Sequence, residues 1–175
     1  MQANVELIIL PYSAEGDATI GHLLVKELSG GRWNRFQAAI AFAKQSGSYA
    51  ELLDALRAFV ADGRRAEITF GADVFGTDAR GSDYEAIRTL LSQTGDDIHL
   101  FLYHEKGRTF HPKLYLFSND ENALLIVGSS NWSQGGFFSN IEANVLIDLD
   151  LTQMDHRECY EHIQRIFATY WQETQ

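Results

Sequence analysis

The sequence predicts an α/β protein in which a mixed β-sheet is sandwiched between α-helices. Two patterns predict it. Strand-like and helix-like segments alternate through the first half, then three strand-like runs follow one another before a closing amphipathic segment. The strands are also near-continuous apolar runs, as expected of a sheet covered on both faces.

The elements follow in order. VELIIL (residues 5–10) reads as a strand that stops at Pro11. IGHLLVKEL (20–28) carries Ile20, Leu23, Leu24 and Leu28 at helical spacing and ends at Gly30 and Gly31. FQAAIAFA (36–43) is a buried strand. Ser48 and Glu51 have the spacing of a capping box ahead of Leu52, Leu56 and Val60, and Gly63 closes that helix. AEITFG (66–71) is the next strand, and Ser82 with Glu85 forms a second capping-box pattern before Ile87, Leu90 and Leu91. IHLFLY (98–103), KLYLF (113–117), ALLIVG (123–128) and NVLIDL (144–149) are strands. The last helix starts near Thr152, with Tyr160, Ile163, Phe167 and Tyr170 along one stripe. Neither an internal repeat nor a Pro-rich linker breaks the pattern, so residues 1–175 read as one domain, free-standing or a module of a larger protein.

Composition narrows the function. With 24 acidic against 14 basic residues the formal net charge is −10, which argues against a broad basic face for autonomous DNA binding. It leaves room for a local positive cleft. Cys159 is the only cysteine, so neither an intramolecular disulfide nor a Cys-rich zinc site is available. The apolar runs are too short to span a bilayer and the start lacks the flanks of a signal peptide, so a cytoplasmic protein without membrane contact is expected.

HPKLYLF (111–117) raises the chemical question, because an imidazole and an ammonium stand two residues apart at the head of an apolar strand. Alternation along a strand sends His111 and Lys113 to the same side. The turn formers of SNDEN (118–122) make a hairpin with the next strand, which ends in GSSN (128–131). That hairpin brings Ser129 and Asn131 back beside His111 and Lys113, and Glu142 opens the following strand near the same edge. Lys113 and Asn131 offer donors suited to phosphate oxygens, with Ser129 in support. His111 is suited to nucleophilic or to general acid–base work, and Glu142 to holding the imidazole in one tautomer.

H-x-K followed by G-S-x-N resembles the "HKD" signature of the phospholipase D superfamily. Asn131 and Glu142 lie eleven positions apart, which resembles the small nuclease branch. The resemblance covers about residues 110–149 by motif. Two departures stand out. Ser118 occupies the place of the motif's Asp, and Gly128 comes later than the family's spacing puts it, the extra residues falling in the SNDEN turn.

The resemblance implies a metal-independent phosphodiesterase without a cofactor, acting through a phosphohistidine, with Lys and Asn donors neutralising charge on the phosphoryl oxygens. Catalytic roles then fall on His111, Lys113, Asn131 and Glu142, and phosphate binding on Lys113, Ser129 and Asn131. The family chemistry uses two histidines, and none of His22, His99, His104, His156 or His162 has a Lys two residues later. The resemblance therefore implies a homodimer whose two-fold axis passes through the site. The expected substrate is nucleic acid, DNA ahead of RNA, in a restriction or other defence system, with a DNA-targeting partner domain or subunit to offset the acidic chain. A lipid phosphodiesterase and a catalytically silent dimerising scaffold are the alternative readings.

Other features read as structural. Phe137 and Phe138 are expected to pack beneath the site loop rather than to wedge into a membrane. Gly135 and Gly136 are expected to shape the turn. Asp73, Asp78 and Asp83 match no calcium loop and read as a solvated segment. His156, Cys159 and His162 cannot all point one way along a helix, and Cys159 reads as a small core residue.

Overall fold

The computed structural model describes residues 3–10, 19–72, 81–95 and 98–171. Among the described residues, seven strands and four α-helices run in the order β1 (Asn4–Leu10), α1 (Ile20–Ser29), β2 (Arg35–Ile40), α2 (Ala50–Ala61), β3 (Arg65–Gly71), α3 (Tyr84–Thr94), β4 (Ile98–Tyr103), β5 (Lys113–Ser118), β6 (Asn122–Gly128), β7 (Glu142–Asp150) and α4 (Met154–Thr169). A 3-10 turn at Gln45–Gly47 and a π-helical turn at Gly135–Ser139 lie in the connections.

All seven strands form one sheet in the order β1-β7-β6-β5-β2-β3-β4. The β2-β3-β4 portion is parallel, because each strand returns through a helix. The β1, β7, β6 and β5 portion is antiparallel, and the two portions join where β2 pairs antiparallel with β5. The predicted β5–β6 hairpin forms in the register Leu114↔Val127 to Ser118↔Ala123.

Alternation along the strands builds two cores. Phe36, Ala38 and Ile40 of β2, with Tyr115 and Phe117 of β5, pack under α1, α2 and α3 through Leu24, Leu28, Leu56, Phe59 and Leu90. Their neighbours in sequence, Ala39 and Leu116, face the other way and meet Ile163 and Phe167 of α4. Tyr160 and Tyr170 pack against this second core, so the stripe read in the sequence lies on the sheet-facing side of α4 and its C-cap.

A polar layer runs beneath α4. Glu67 is fully buried and is paired with Arg35 at 2.6 Å and with Arg65 at 2.5 Å. Arg35 also donates to Gln164 Oε1, and Gln164 donates to Gln37 Oε1. Ser118, where the resemblance expects an aspartate, is buried and accepts a hydrogen bond from the Tyr160 hydroxyl at 3.1 Å, tying α4 to β5.

Three sequence expectations are corrected. Ser48 does not cap α2: Tyr49 holds the N-cap position without a side-chain capping bond, and the Ser48 hydroxyl accepts from Trp132 Nε1. Nor does Ser82 cap α3, where Asp83 stands at the N-cap. The Ser82 hydroxyl donates to the Gly71 carbonyl and accepts from the Ala43 N–H, joining the ends of β3 and β2. Cys159 is exposed rather than a core residue. The sheet-facing arc of α4 runs through His156, Tyr160, Ile163, Gln164 and Phe167, and Cys159 lies to one side of it. His156 is buried, with Nδ1 accepting from the Asp150 N–H, whereas His162 is exposed. Pro11, Asp73 and Asp78 lie outside the described residues. Asp83 accepts from Lys44 at 3.0 Å. Among the described residues, no helix is long and apolar enough to cross a membrane.

Candidate active site

The site forms at one end of the sheet, where β5 begins, β6 ends and β7 begins. Lys113 is the first residue of β5 and is only 7% exposed. By alternation it shares a face with Tyr115 and Phe117, the face covered by α1, α2 and α3. Its ammonium lies 2.8 Å from His111 Nδ1, 3.0 Å from His111 Nε2 and 3.2 Å from the His111 carbonyl oxygen. His111, just before the strand, is exposed. Imidazole and ammonium thus meet, as the two-residue spacing predicts.

Burial lowers the Lys113 pKa below the ordinary lysine value, and the negative charge of Glu142 works in the opposite direction. Glu142 itself is buried at the start of β7. Its carboxylate accepts from the Ser129 hydroxyl through Oε2 and from Asn140 Nδ2 at 3.2 Å through Oε1. Within one chain, then, the carboxylate is held by Ser129 and Asn140. The Ser129 hydroxyl also accepts from the Ala143 N–H at 3.0 Å. Its single proton goes to Glu142, so Ser129 acts here as a fastening between the end of β6 and the start of β7.

Asn131 is oriented from the segment that follows β2. The Phe42 N–H donates to Asn131 Oδ1 at 3.3 Å, which leaves the amide Nδ2 as the donor end. The chain on either side is fixed by backbone bonds: Trp132 N–H to the Phe42 carbonyl and Lys44 N–H to the Trp132 carbonyl. Gly136 approaches the Asn131 backbone so closely that a Cβ there would lie 2.4 Å from its carbonyl oxygen. Here the Gly135–Gly136 pair shapes the turn. Phe137 is fully buried beneath the loop against Trp132, and Phe138 packs on Gly21, His22 and Tyr49, as expected.

Gly128 has a steric reason. One step beyond the Leu114↔Val127 pair, it stands in the row between Lys113 and Asn144. A Cβ at Gly128 would lie 2.1 Å from Asn144 Oδ1 and 2.5 Å from the Ala143 carbonyl oxygen. Asn144 is buried and donates to the Ser130 hydroxyl at 3.0 Å. Tyr115 donates to the Ser130 carbonyl at 2.9 Å. Burial, with the Glu142 charge adding to it, holds the Tyr115 phenol well above its usual pKa, so it remains a donor.

Sequence reasoning missed three contributors. Phe42 lies edge-on to His111, ring centroids 5.7 Å apart at 75°. Asn140 and Tyr115 supply the other supports described above. Only Asn140 carried a signal, standing two residues before Glu142; Phe42 and Tyr115 read as core.

The arrangement is an exposed imidazole beside a buried ammonium, an oriented amide and a fastened carboxylate. It can receive a phosphodiester, with Lys113 and Asn131 on the oxygens and His111 at phosphorus. Among the described residues, no group of His, Cys, Asp or Glu is placed to hold a metal.

A family model described as cardiolipin synthase, PLD-like domain, matches residues 35–171. The fold is similar to that of Nuc from Salmonella typhimurium, a phospholipase D family member. Identity is 17% over 97% of this chain and 95% of Nuc, at a TM-score of 0.63. NucT from Helicobacter pylori is similar at 16% identity over 94% of this chain and 97% of NucT, TM-score 0.57. Phosphatidylserine synthase from Haemophilus influenzae matches at 11% identity, over 95% of this chain but 38% of the synthase, TM-score 0.65. Comparison with the curated proteins finds no match.

Proposed function

From the premise that the chain belongs to the phospholipase D-like family, we propose that it is a metal-independent nuclease, a phosphodiesterase that cuts nucleic acid as a homodimer. The observation that carries this reading is the meeting of His111 and Lys113 at the sheet end where Asn131 and Glu142 also arrive. The coverage supports the single-domain nuclease-like branch: this chain and Nuc or NucT match over almost all of both lengths.

In the proposed reaction a ring nitrogen of His111 attacks phosphorus. The bond from phosphorus to the leaving oxygen breaks, and that oxygen takes a proton from the second copy's histidine. Water then attacks the phosphohistidine, giving its proton back to that second histidine, and His111 is released. Lys113 and Asn131 of each copy donate to the non-bridging oxygens as their charge grows. One chain offers one such histidine, so the second copy completes the site. Apolar surface flanks this edge: Ile141, beside Glu142, is 71% exposed, and Val127, two residues before Ser129, is 37% exposed. A second copy seated there would cover both. The −10 charge then calls for a DNA-targeting partner domain or subunit, the arrangement expected of a defence nuclease.

The test is cleavage of labelled single- and double-stranded DNA in EDTA, wild type beside His111→Ala. Cleavage that survives chelation and is lost in the variant supports the reading. Faster turnover of a phosphatidyl lipid in vesicles than of any nucleic acid would replace nuclease with lipid phosphodiesterase. No turnover of either would leave a dimerising scaffold.

A further inference from the structure

Among the described residues, Phe42 belongs to neither hydrophobic core, although Ala41 and Ala43 on either side of it are fully buried. A large apolar ring is therefore held, half-buried, at the edge of the site. The sheet register explains its place. β2 and β5 pair up to Ile40↔Lys113, and the Ala41 N–H continues the ladder to the Pro112 carbonyl at 2.8 Å. Just beyond the ends of both strands, this approach brings Phe42 beside His111. Their rings meet edge to face.

We propose that Phe42 is the positioning residue of this site: its ring fixes the rotamer of the His111 imidazole, and its backbone N–H fixes the orientation of the Asn131 amide. This rests on the nuclease reading for its effect on rate, but not for its effect on His111. An attacking imidazole must present one nitrogen along the axis of the breaking bond, and an exposed histidine ahead of a strand has no packing of its own to do this. Lys113 touches the imidazole, but its ammonium is the group that must turn to a phosphate. The Phe42 ring is the contact that stays when Lys113 changes partner. An aromatic pair of this geometry adds to ordinary burial, whereas an aliphatic side chain of similar volume lacks the directional part.

The two arms separate by mutation. Phe42→Leu keeps apolar volume and the backbone N–H to Asn131 but removes the ring; Phe42→Tyr keeps the ring. Two readouts are taken on the full chain: the Hα–Hβ couplings of His111 by NMR, and steady-state cleavage. The couplings are expected to average towards mixed rotamers in Phe42→Leu and to stay single-rotamer in wild type and Phe42→Tyr. The kcat of Phe42→Leu is expected to fall about 100-fold with KM moving less than about three-fold, and Phe42→Tyr to recover most of the loss. Unchanged couplings in Phe42→Leu overturn the proposal, as does an unchanged kcat where the wild type cleaves. Averaged couplings in a protein whose wild type cuts no nucleic acid support the positioning role and remove the nuclease reading alone.

Discussion

The ammonium of Lys113 rests against the imidazole of His111, within 3.0 Å of both ring nitrogens, while Glu142 is held by Ser129 and Asn140. The carboxylate is thus secured apart from the imidazole–ammonium pair, whose members hold each other. The cation is the buried member of the first pair and the imidazole the exposed one.

That burial has a pH consequence. Lys113 must be charged to hold a phosphate, and burial lowers its pKa while Glu142 partly restores it. The alkaline limb of kcat/KM is therefore expected below the ordinary lysine pKa. Glu142→Gln removes the restoring charge and should move that limb to still lower pH. A pH–rate profile of both proteins checks it, and a shift to higher pH in the variant would contradict the coupling.

Removing the amide should cost rate more than fold. Asn131→Ala is expected to lower kcat by roughly 100- to 1000-fold, the loss typical of one preset donor to a developing charge. Its urea midpoint should stay near wild type. A large loss of stability with kcat preserved would mean that Asn131 serves the loop and not the phosphate.

Gly128→Ala tests the steric row. The new methyl meets Asn144 and the β7 backbone, and overpacking of this kind costs roughly 1–3 kcal/mol. The loss should appear as a lower urea midpoint at unchanged slope. A neutral result would show that Asn144 can turn aside and that the β7 backbone at Ala143 can shift without cost.

A shared site makes a stoichiometric prediction. Wild type and His111→Ala, mixed in equal amounts, unfolded and refolded together, should form mixed dimers in which each histidine lacks its partner. Activity should fall to about a quarter of the wild-type level at equal total dimer, the random share of wild-type pairs. Retention of about half would show that each copy works by itself.

Much of the molecule was legible in the sequence because its strands are apolar runs between turn formers. The limits of the strand at 98–103 follow from the apolar run, and the spacing of Tyr160, Ile163 and Phe167 marks the sheet-facing side of α4, though His156 and Gln164 share it unannounced. The site pair was legible because a two-residue spacing on a strand leaves little geometric freedom. Tertiary partners hid the rest. Ser48 and Ser82 have the spacing of caps, yet their hydroxyls serve Trp132, Gly71 and Ala43, none of them near in sequence. Phe42 looks like one more core residue of an apolar strand until β5 is laid beside β2. Cys159 fits the helical stripe by type, but the face of α4 turns towards Tyr160 and Gln164 to reach the polar layer.

The β5–β6–β7 meander also bears on the order in which the molecule is built. His111, Lys113, Ser129, Asn131 and Glu142 all lie on or beside three strands that pair with their neighbours in sequence. Such pairings close short loops and lose little chain entropy, so they are the ones favoured early in folding. Phe42 lies two residues beyond β2, which reaches β5 only by closing a loop of more than seventy residues between Ile40 and Lys113. The reacting groups would then gather first and be set in order last. If so, φ-values should be high in the meander and low at the β2–β5 seam, and catalytic competence should appear on refolding after most of the β-structure has formed.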